Sequence, residues 1–464
     1  MALALVAVVA AACSGTEASA PTSRPTPHPQ RMVFAHYLPH FPVSIDDQPA
    51  ATDYYTTQYL APAGEEGRHL AHGGYLRDRP RIRPPLDRDW RLTDLESEVR
   101  TARNAGIDGF TVDVIAPDLD LAVLTDLETA ASRVGRFVIV PTIDMDGALG
   151  RESPATIADR LAGSLRSASA YHLPDGRPVL SAYRAERQSP AWWRSTLDEF
   201  AARLTRPVAF VPVLLDADRN LEAFAPISYG LGSWGGSRDP QTTDPDRRVR
   251  GSTVDLARRA HRLGRIWMSP IAFQDYRPDA DLYYEAGGTE TLDNMWAAAE
   301  DSNAEWAQLI TWNDYAESTA FAPTQRSGHA LLDLDAYRRA GFRSGPPEIT
   351  RDRLFLVHRT QFATPAPSIV QTALAHTPAG TTAPVDVAEA VTLTTAPATV
   401  VITVGGRRTR CSVPAGPGHC IAPLAAGAVS AELERDGRVG VRTRSPEQVI
   451  STPRYQDLTY VVAE

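Results

Sequence analysis

The sequence predicts a (β/α)8 barrel followed by a small antiparallel β-sandwich. Between residues 32 and 314 eight short apolar runs alternate with helix-patterned stretches, the texture of repeated β–α units. Their span is close to the roughly 250 residues of a typical eightfold barrel. After about residue 350 the helical period disappears and short β-rich runs follow one another. A doubly wound sheet would show the same alternation, but no Gly-x-Gly-x-x-Gly follows the first strand, and eight units favour closure. The 464 residues therefore divide into a leader and tether (1–30), a barrel (31–345) and a sandwich (350–464).

Residues 2–12 are uninterrupted small or apolar residues, too few to span a bilayer but the length of a signal-peptide core. Ala10-Ala11-Ala12-Cys13 resembles a relaxed bacterial lipobox, in which Cys13 is lipidated and becomes the mature N-terminus. Residues 16–30, rich in Pro, Ser and Thr, read as an extended tether. The expectation is an extracellular or cell-surface protein, lipid-anchored or, with the lipobox unused, secreted, with no other contact to a membrane.

Barrel strands are expected at Met32–Leu38, Gly109–Ile115, Phe137–Asp144, Pro178–Glu186, Ala209–Asp216, Ile227–Trp234, Ile266–Phe273 and Gln308–Asn313. Helices fill most of the gaps: Leu95–Ala105 after a Thr93-Asp94 cap, Ala155–Ala170 after Ser153-Pro154, then Ala191–Leu204, Val254–Leu263 and Thr291–Asn303. The long insertion 42–89 after the first strand is expected on the catalytic rim. In the sandwich, strands are expected at Leu354–His358, Val391–Thr395, Thr399–Val404, Val429–Glu434 and Val439–Thr443, with a hairpin signal at Asp436-Gly437. Cys411 and Cys420 enclose Pro414, Gly416, Pro417 and Gly418, and in an exported protein they are expected to close a hairpin by a disulfide. The sandwich is expected to buttress the barrel rather than to bind carbohydrate, because it offers few exposed aromatic candidates.

Composition excludes several chemistries. Hydrophobic residues are 43% and charged residues 22%, enough for a sizeable core. The net charge of −9 argues against nucleic-acid binding by counterion release. None of the 47 basic residues is Lys, which removes Schiff-base chemistry and the Walker lysine. The 11 His lack ligand spacing, HExxH is absent, and His69 and His72 sit in the insertion, so no metal or cofactor is expected. GxSxG is absent as well.

Barrel active sites lie at the C-terminal strand ends. Here those ends carry His36 and Tyr37, Asp113, Asp144 and Asp146, Glu186, Asp216, Trp234, then Trp312, Asn313, Asp314 and Glu317. A single Asp at a strand end is as readily a helix cap. Several carboxylates converging with Trp and Tyr suit a site that cuts a glycan: two carboxyl groups supply acid and base or nucleophile, and aromatic faces stack on sugar rings. His36, Tyr37, Trp234 and Trp312 are expected to line the cleft, with Asn313 bonding hydroxyls. Asp314 and Glu317 follow the eighth strand into a loop on the catalytic face and are the expected pair, with Glu317 as acid and Asp314 as base. Asp113, Asp144 and Glu186 would then hold sugar hydroxyls or orient the pair; they are the alternative catalytic carboxylates.

Particular segments resemble glycoside hydrolase family 71, the α-1,3-glucanases or mutanases. Val33-Phe34-Ala35-His36-Tyr37 is similar to the family's first-strand motif, and Ala105-Gly106-Ile107-Asp108-Gly109-Phe110 to its second-strand entry. Ser233-Trp234-Gly235 and Met268-Ser269-Pro270 resemble later strand ends. Thr311-Trp312-Asn313-Asp314-Tyr315-Ala316-Glu317-Ser318 is similar to the eighth-strand signature, with Ala316 in place of Gly. The insertion 42–89 departs from the family pattern. The resemblance implies an endo-acting α-1,3-glucan hydrolase, a polysaccharide substrate, the same Asp and Glu as catalytic pair, and inversion at the anomeric carbon. Inversion needs carboxyl groups about 6.5–9.5 Å apart, whereas retention needs about 5–5.5 Å. A silent surface lectin and a barrel hydrolase of another α-glycan, such as a mannan, are the competing readings. Intact Asp314 and Glu317 speak against the lectin.

Overall fold

The computed structural model describes residues 31–364, 367 and 371–464. Cys13, the apolar leader and the tether lie outside them. Residues Arg31–Glu464 form one compact unit. No described helix is long and apolar enough to cross a membrane.

The first half is a closed barrel. In chain order the elements are β1 (Met32–Tyr37), α1 (Trp90–Asn104), β2 (Gly109–Val114), α2 (Pro117–Val134), β3 (Val138–Asp144), α3 (Pro154–Leu161), β4 (Val179–Tyr183), α4 (Pro190–Leu204), β5 (Ala209–Leu214), α5 (Ala217–Phe224), β6 (Gly230–Ser233), α6 (Pro240–Thr243), α7 (Thr253–Arg262), β7 (Ile266–Ile271), a short hairpin β8 (Asp275–Arg277) and β9 (Leu282–Tyr284), α8 (Glu290–Asp301), β10 (Trp306–Leu309) and α9 (Ala330–Ser344). The barrel order is β1-β10-β7-β6-β5-β4-β3-β2, with parallel pairing between the neighbours. Its strands are almost wholly buried because helices cover the outer face and side chains fill the lumen. Ser153 and Ser189 accept the amide protons of Thr156 and Trp192, and Pro154 and Pro190 follow at the first helical position.

The lumen changes character along its length. At its base Phe34 packs against Trp306 (ring centroids 5.2 Å) and Tyr171 (5.7 Å). One layer higher Gln308 donates to Thr111 Oγ1 at 2.7 Å, and Thr111 Oγ1 stands 3.3 Å from His36 Nδ1. The apolar plug stabilises the barrel, and the polar layer opens towards the strand ends that carry the site.

Several boundaries differ from expectation. The helix α1 starts at Trp90 rather than after Thr93-Asp94, because Asp94 is taken by Arg83 of the insertion (2.6 Å) instead of capping. The helix α2 was not expected; Asp120 in its first turn accepts the amides of Ile115 and Ala116. The helix α3 ends at Leu161, not Ala170. Strand β4 stops at Tyr183 because Arg184 takes a left-handed conformation (φ 54°), and β10 stops at Leu309, four residues short of Asn313.

The second half is a sandwich of two four-stranded antiparallel sheets. Its strands are β11 (Arg353–Arg359), β12 (Val387–Thr394), β13 (Ala398–Val404), β14 (Arg407–Val413), β15 (Gly416–Pro423), β16 (Gly427–Arg435), β17 (Arg438–Val449) and β18 (Tyr460–Ala463). The sheet orders are β15-β12-β11-β18 and β14-β13-β16-β17. Leu354, Leu356, Val400, Ile402, Ala431 and Leu433 fill the space between them. The turn at Asp436-Gly437 joins β16 and β17 with both residues at positive φ (50° and 73°), as a tight hairpin requires.

The expected hairpin around the cysteines is not formed. Strand β14 pairs with β13 and β15 pairs with β12, so Cys411 and Cys420 sit in different sheets and their disulfide staples the two layers together. The chain changes sheet at Pro414-Ala415. The Pro and Gly residues of β15 are tolerated because it is an edge strand.

The sandwich lies against the β8–β9 hairpin and the start of α8. Tyr276 Oη donates to the Gln456 carbonyl (2.8 Å), Thr289 N–H to Glu389 (2.8 Å), and Tyr460 Oη to Glu285 (2.6 Å), which also pairs with Arg359. The insertion 42–89 caps the loop after β10: Leu38, Phe41, Tyr55, Leu76 and Tyr315 form one buried cluster, and Arg79 is ion-paired to Asp53 (2.6 Å) inside the insertion.

Candidate active site

Strand alternation places Met32, Phe34 and His36 inside the barrel and Val33, Ala35 and Tyr37 outside. His36 Nε2 lies 3.5 Å from Asp113 Oδ2, at the end of β2. Its ring meets Trp234, just past β6, edge-on at 4.8 Å, and Trp234 meets Tyr183, the last residue of β4, at 4.8 Å. Asp144 closes β3, with Oδ1 accepting the amides of Asp146 (2.6 Å) and Gly147 (3.0 Å). Burial and the charge of Asp113 push the Asp144 carboxyl up to about 7.

Asp314 and Glu317 sit in the loop after β10. Asp314 N–H donates to Thr311 Oγ1 (2.8 Å), and Asp314 Oδ1 accepts the Glu317 amide (2.9 Å), an Asx-type turn that fixes one residue against the other. Asp314 is 8% exposed, and the Glu317 side chain keeps 23% of its surface open. Glu317 Oε1 pairs with Arg277 Nη1 at 2.6 Å, Arg238 Nη1 stands 3.6 Å from Oε2, and Oε2 has no hydrogen-bond partner. Burial, then the neighbouring Asp314, push Glu317 up to about 8 against the pull of Arg277 and Arg238. Asp314 is also raised, chiefly by burial, with the Glu317 amide opposing. Two interacting carboxyl groups of this kind titrate as a pair. The charges of Glu317, Asp144 and Asp113 all act on the Tyr183 hydroxyl, at the end of β4.

Of the expected residues, the structure brings together His36, Asp113, Asp144, Trp234, Asp314 and Glu317. Four others stand elsewhere. Tyr37 has the opposite strand parity to His36, points into the helix layer and packs on Phe110 (5.0 Å), so it does not line the cleft. Trp312 is fully buried on that same outer side, with Nε1 donating to Glu98 of α1 and its ring 5.3 Å from Phe110. The strand period cannot be carried past Leu309, where the chain leaves the barrel wall. Asn313 spends both ends of its amide on the backbone of Leu38 (2.8 and 2.9 Å), clamping the loop after β1 to the loop after β10 instead of facing a sugar. Glu186 accepts the amides of Leu215 and Asp216 (2.7 Å each) and so shapes the turn after β5.

Residues not anticipated include Tyr183, Arg238, Asp275 and Arg277. Arg238 follows Trp234 by four residues, with its guanidinium carbon 5.7 Å from the Trp234 ring centre. Asp275 and Arg277 follow β7 by a few residues; position after a strand end was the available signal. Among the described residues no group of three or more His, Cys, Asp or Glu is arranged to hold a metal ion.

The arrangement can protonate a leaving oxygen and activate a water, and Asp113 Oδ1 is a buried acceptor with no partner. The chain matches the model of glycosyl hydrolase family 71 over residues 87–462, which leaves β1 and almost all of the insertion outside the match. No curated protein matches it. Two solved structures of the GH99 endo-α-mannosidase from Bacteroides thetaiotaomicron, one with bis-tris propane bound, are 14% and 12% identical, with TM-scores of 0.51 and 0.50. Each alignment covers 68% of this chain and 98% of the mannosidase, a likeness of fold. With four-fifths of its length matched by the family model and a barrel bearing paired buried carboxylates at its C-terminal face, the chain belongs to glycoside hydrolase family 71.

Proposed function

We propose that the protein cleaves α-1,3-linked glucan within the chain, by inversion, with Glu317 as general acid and Asp314 as general base. The observation that carries this reading is the setting of Glu317: one oxygen is tied to Arg277 and the other makes no hydrogen bond, while burial and the neighbouring Asp314 push the group up to about 8. A proton on Oε2 passes to the glycosidic oxygen as the C1–O bond breaks. A water attacks C1 from the opposite face, giving up its proton to Asp314, so one water is consumed per bond cut. Trp234, edge-on to His36 and Tyr183, offers its face to a sugar ring, and Asp113 accepts a hydroxyl.

The acid works while protonated and the base while ionised. Activity falls as pH rises through about 8, when Glu317 loses its proton, and falls on the acid side as Asp314 gains one. The apolar run, Cys13 and the tether support export with a lipid anchor at Cys13, which intact-mass analysis of the native protein tests. The substrate is tested by incubating the protein with α-1,3-glucan, other α- and β-glucans and α-mannan. Oligosaccharides of several lengths from α-1,3-glucan alone are the expected outcome; release from α-mannan alone, or binding without release, would contradict the reading.

A further inference from the structure

Asp275 opens the β8–β9 hairpin and is wholly enclosed. It touches none of the groups that would meet a substrate, yet both its oxygens are committed. Arg238 Nη1 donates to Oδ2 at 2.8 Å, Arg277 Nε to Oδ1 at 2.7 Å, and Arg277 Nη2 to Oδ2 at 2.8 Å. The same two guanidinium groups reach forward to Glu317, at 2.6 Å from Arg277 and 3.6 Å from Arg238. Asp275 thus stands behind two cations that stand behind the dyad. The cluster holds two positive charges and three acidic groups: Asp275, Asp314 and Glu317. Its charge closes to zero when the dyad keeps one proton. Were Asp275 neutral, two arginines would balance two ionised carboxylates, and the proton that a general acid needs would be lost.

We propose that Asp275 is a positioning residue that aims Arg238 and Arg277 at Glu317 and takes up one of their two charges, so that the Asp314–Glu317 pair retains one proton. The proposal rests on the reading of that pair as catalytic. The groups facing Glu317 are Asp314 from its own loop, Arg277 and Asp275 from β8, Arg238 from the loop after β6 and Tyr183 from β4. Asp275 and Asp314 are the acidic neighbours that act on Glu317, Asp113 and Asp144 act on Tyr183 beyond it, and His40 from the loop after β1 and Tyr75 from the insertion stand near Asp314. The hairpin is held from behind by the sandwich, through Tyr276 and Gln456, which gives the second domain a part in fixing the two arginines.

The test is an infrared titration of the full chain, with the dyad's protonated carboxyl identified by its disappearance in Glu317→Gln, run beside the pH profile of glucan hydrolysis. In Asp275→Asn the dyad's upper titration and the basic limb of kcat should both move down by about one to three pH units. Asp275→Glu should restore much of the shift, and Arg277→Gln should move the titration the other way. An Asp275→Asn protein that is folded and slower at every pH with an unmoved titration would overturn the proposal, since that is a structural role. Should Asp275→Asn fail to fold, the double variant Asp275→Asn/Arg277→Gln, which removes one charge of each sign, decides: a titration below that of Arg277→Gln supports the charge balance, and one equal to or above it overturns it. Expected titrations together with normal turnover in Glu317→Gln would sustain the role of Asp275 in the proton balance while removing the catalytic reading of the dyad.

Discussion

Two pairs of carboxylates meet at the top of this barrel: Asp113 with Asp144 at the ends of β2 and β3, and Asp314 with Glu317 in the loop after β10. Both pairs are buried, and in both one member titrates near or above neutrality, Asp144 at about 7 and Glu317 at about 8. A raised titration alone does not pick the catalyst. The neighbours do. Asp144 is fixed by two backbone amides, and Asp113 leans on His36. That pair is rigid, flanked by one imidazole and suited to holding a hydroxyl. Glu317 has Arg277 on one oxygen, Arg238 3.6 Å from the other, which makes no hydrogen bond, and part of its side-chain surface open. A protonated oxygen that no hydrogen bond already occupies is what acid catalysis requires.

The largest expected effect breaks or keeps this distinction. Asp314→Asn and Glu317→Gln are nearly isosteric, and each should lower kcat by about 10²–10⁴-fold with the melting temperature little changed. Steady-state kinetics beside thermal denaturation reads it, and near-normal turnover in both would transfer the role to the strand-end pair.

Trp312 and Trp234 sharpen the contrast between facing the helices and facing the cleft. Trp312→Ala empties a buried site and should cost about 3–5 kcal/mol of stability. Trp234→Ala should raise KM while the fold survives. Chemical denaturation of both variants checks this; a stability loss confined to Trp234→Ala would reverse the assignment.

Reducing the Cys411–Cys420 bond should destabilise the sandwich by roughly 2–3 kcal/mol in the chain-entropy picture without touching either pair directly. Melting curves with and without reductant should separate, and kcat at a temperature where the protein is folded should not. Both thiols alkylating freely in native protein would sink the idea.

The smallest effect belongs to the strand-end pair. Asp113→Asn weakens one charged hydrogen bond to a hydroxyl, about tenfold in kcat/KM, expressed mostly in KM. A loss confined to kcat and as large as that of Glu317→Gln would erase the difference between the pairs.

Much of this was legible in the sequence. Six of the eight strands begin within one residue of the apolar runs that predict them, while β6 starts three residues later and β10 two residues earlier, and Asp113, Asp144, Asp314 and Glu317 stand out because acidic residues seldom close such runs. His36 and Tyr37 show a limit that the sequence itself contained: neighbours in a strand face opposite ways, so only one of them can enter the lumen. Trp312 and Asn313 show a deeper limit. The apolar texture runs on to residue 312, while the strand ends at Leu309, and which way a side chain points beyond that is set by Glu98 of α1 and by the Leu38 backbone. Strand β14 escaped notice because an edge strand with Arg407, Arg408 and Arg410 has no apolar alternation to read. Arg238, Asp275 and Arg277 come together only once a hairpin folds back under the sandwich.

A substrate that carries its own leaving group gives the most direct test of the dyad. An α-1,3-gluco-oligosaccharyl fluoride needs no proton from the enzyme to depart, whereas a glucan does. If Glu317 is the acid and Asp314 the base, Glu317→Gln loses glucan hydrolysis but keeps hydrolysis of the fluoride near the wild-type rate, and Asp314→Asn loses both. Equal loss of both substrates in Glu317→Gln, or glucan turnover surviving in both variants, would contradict the account.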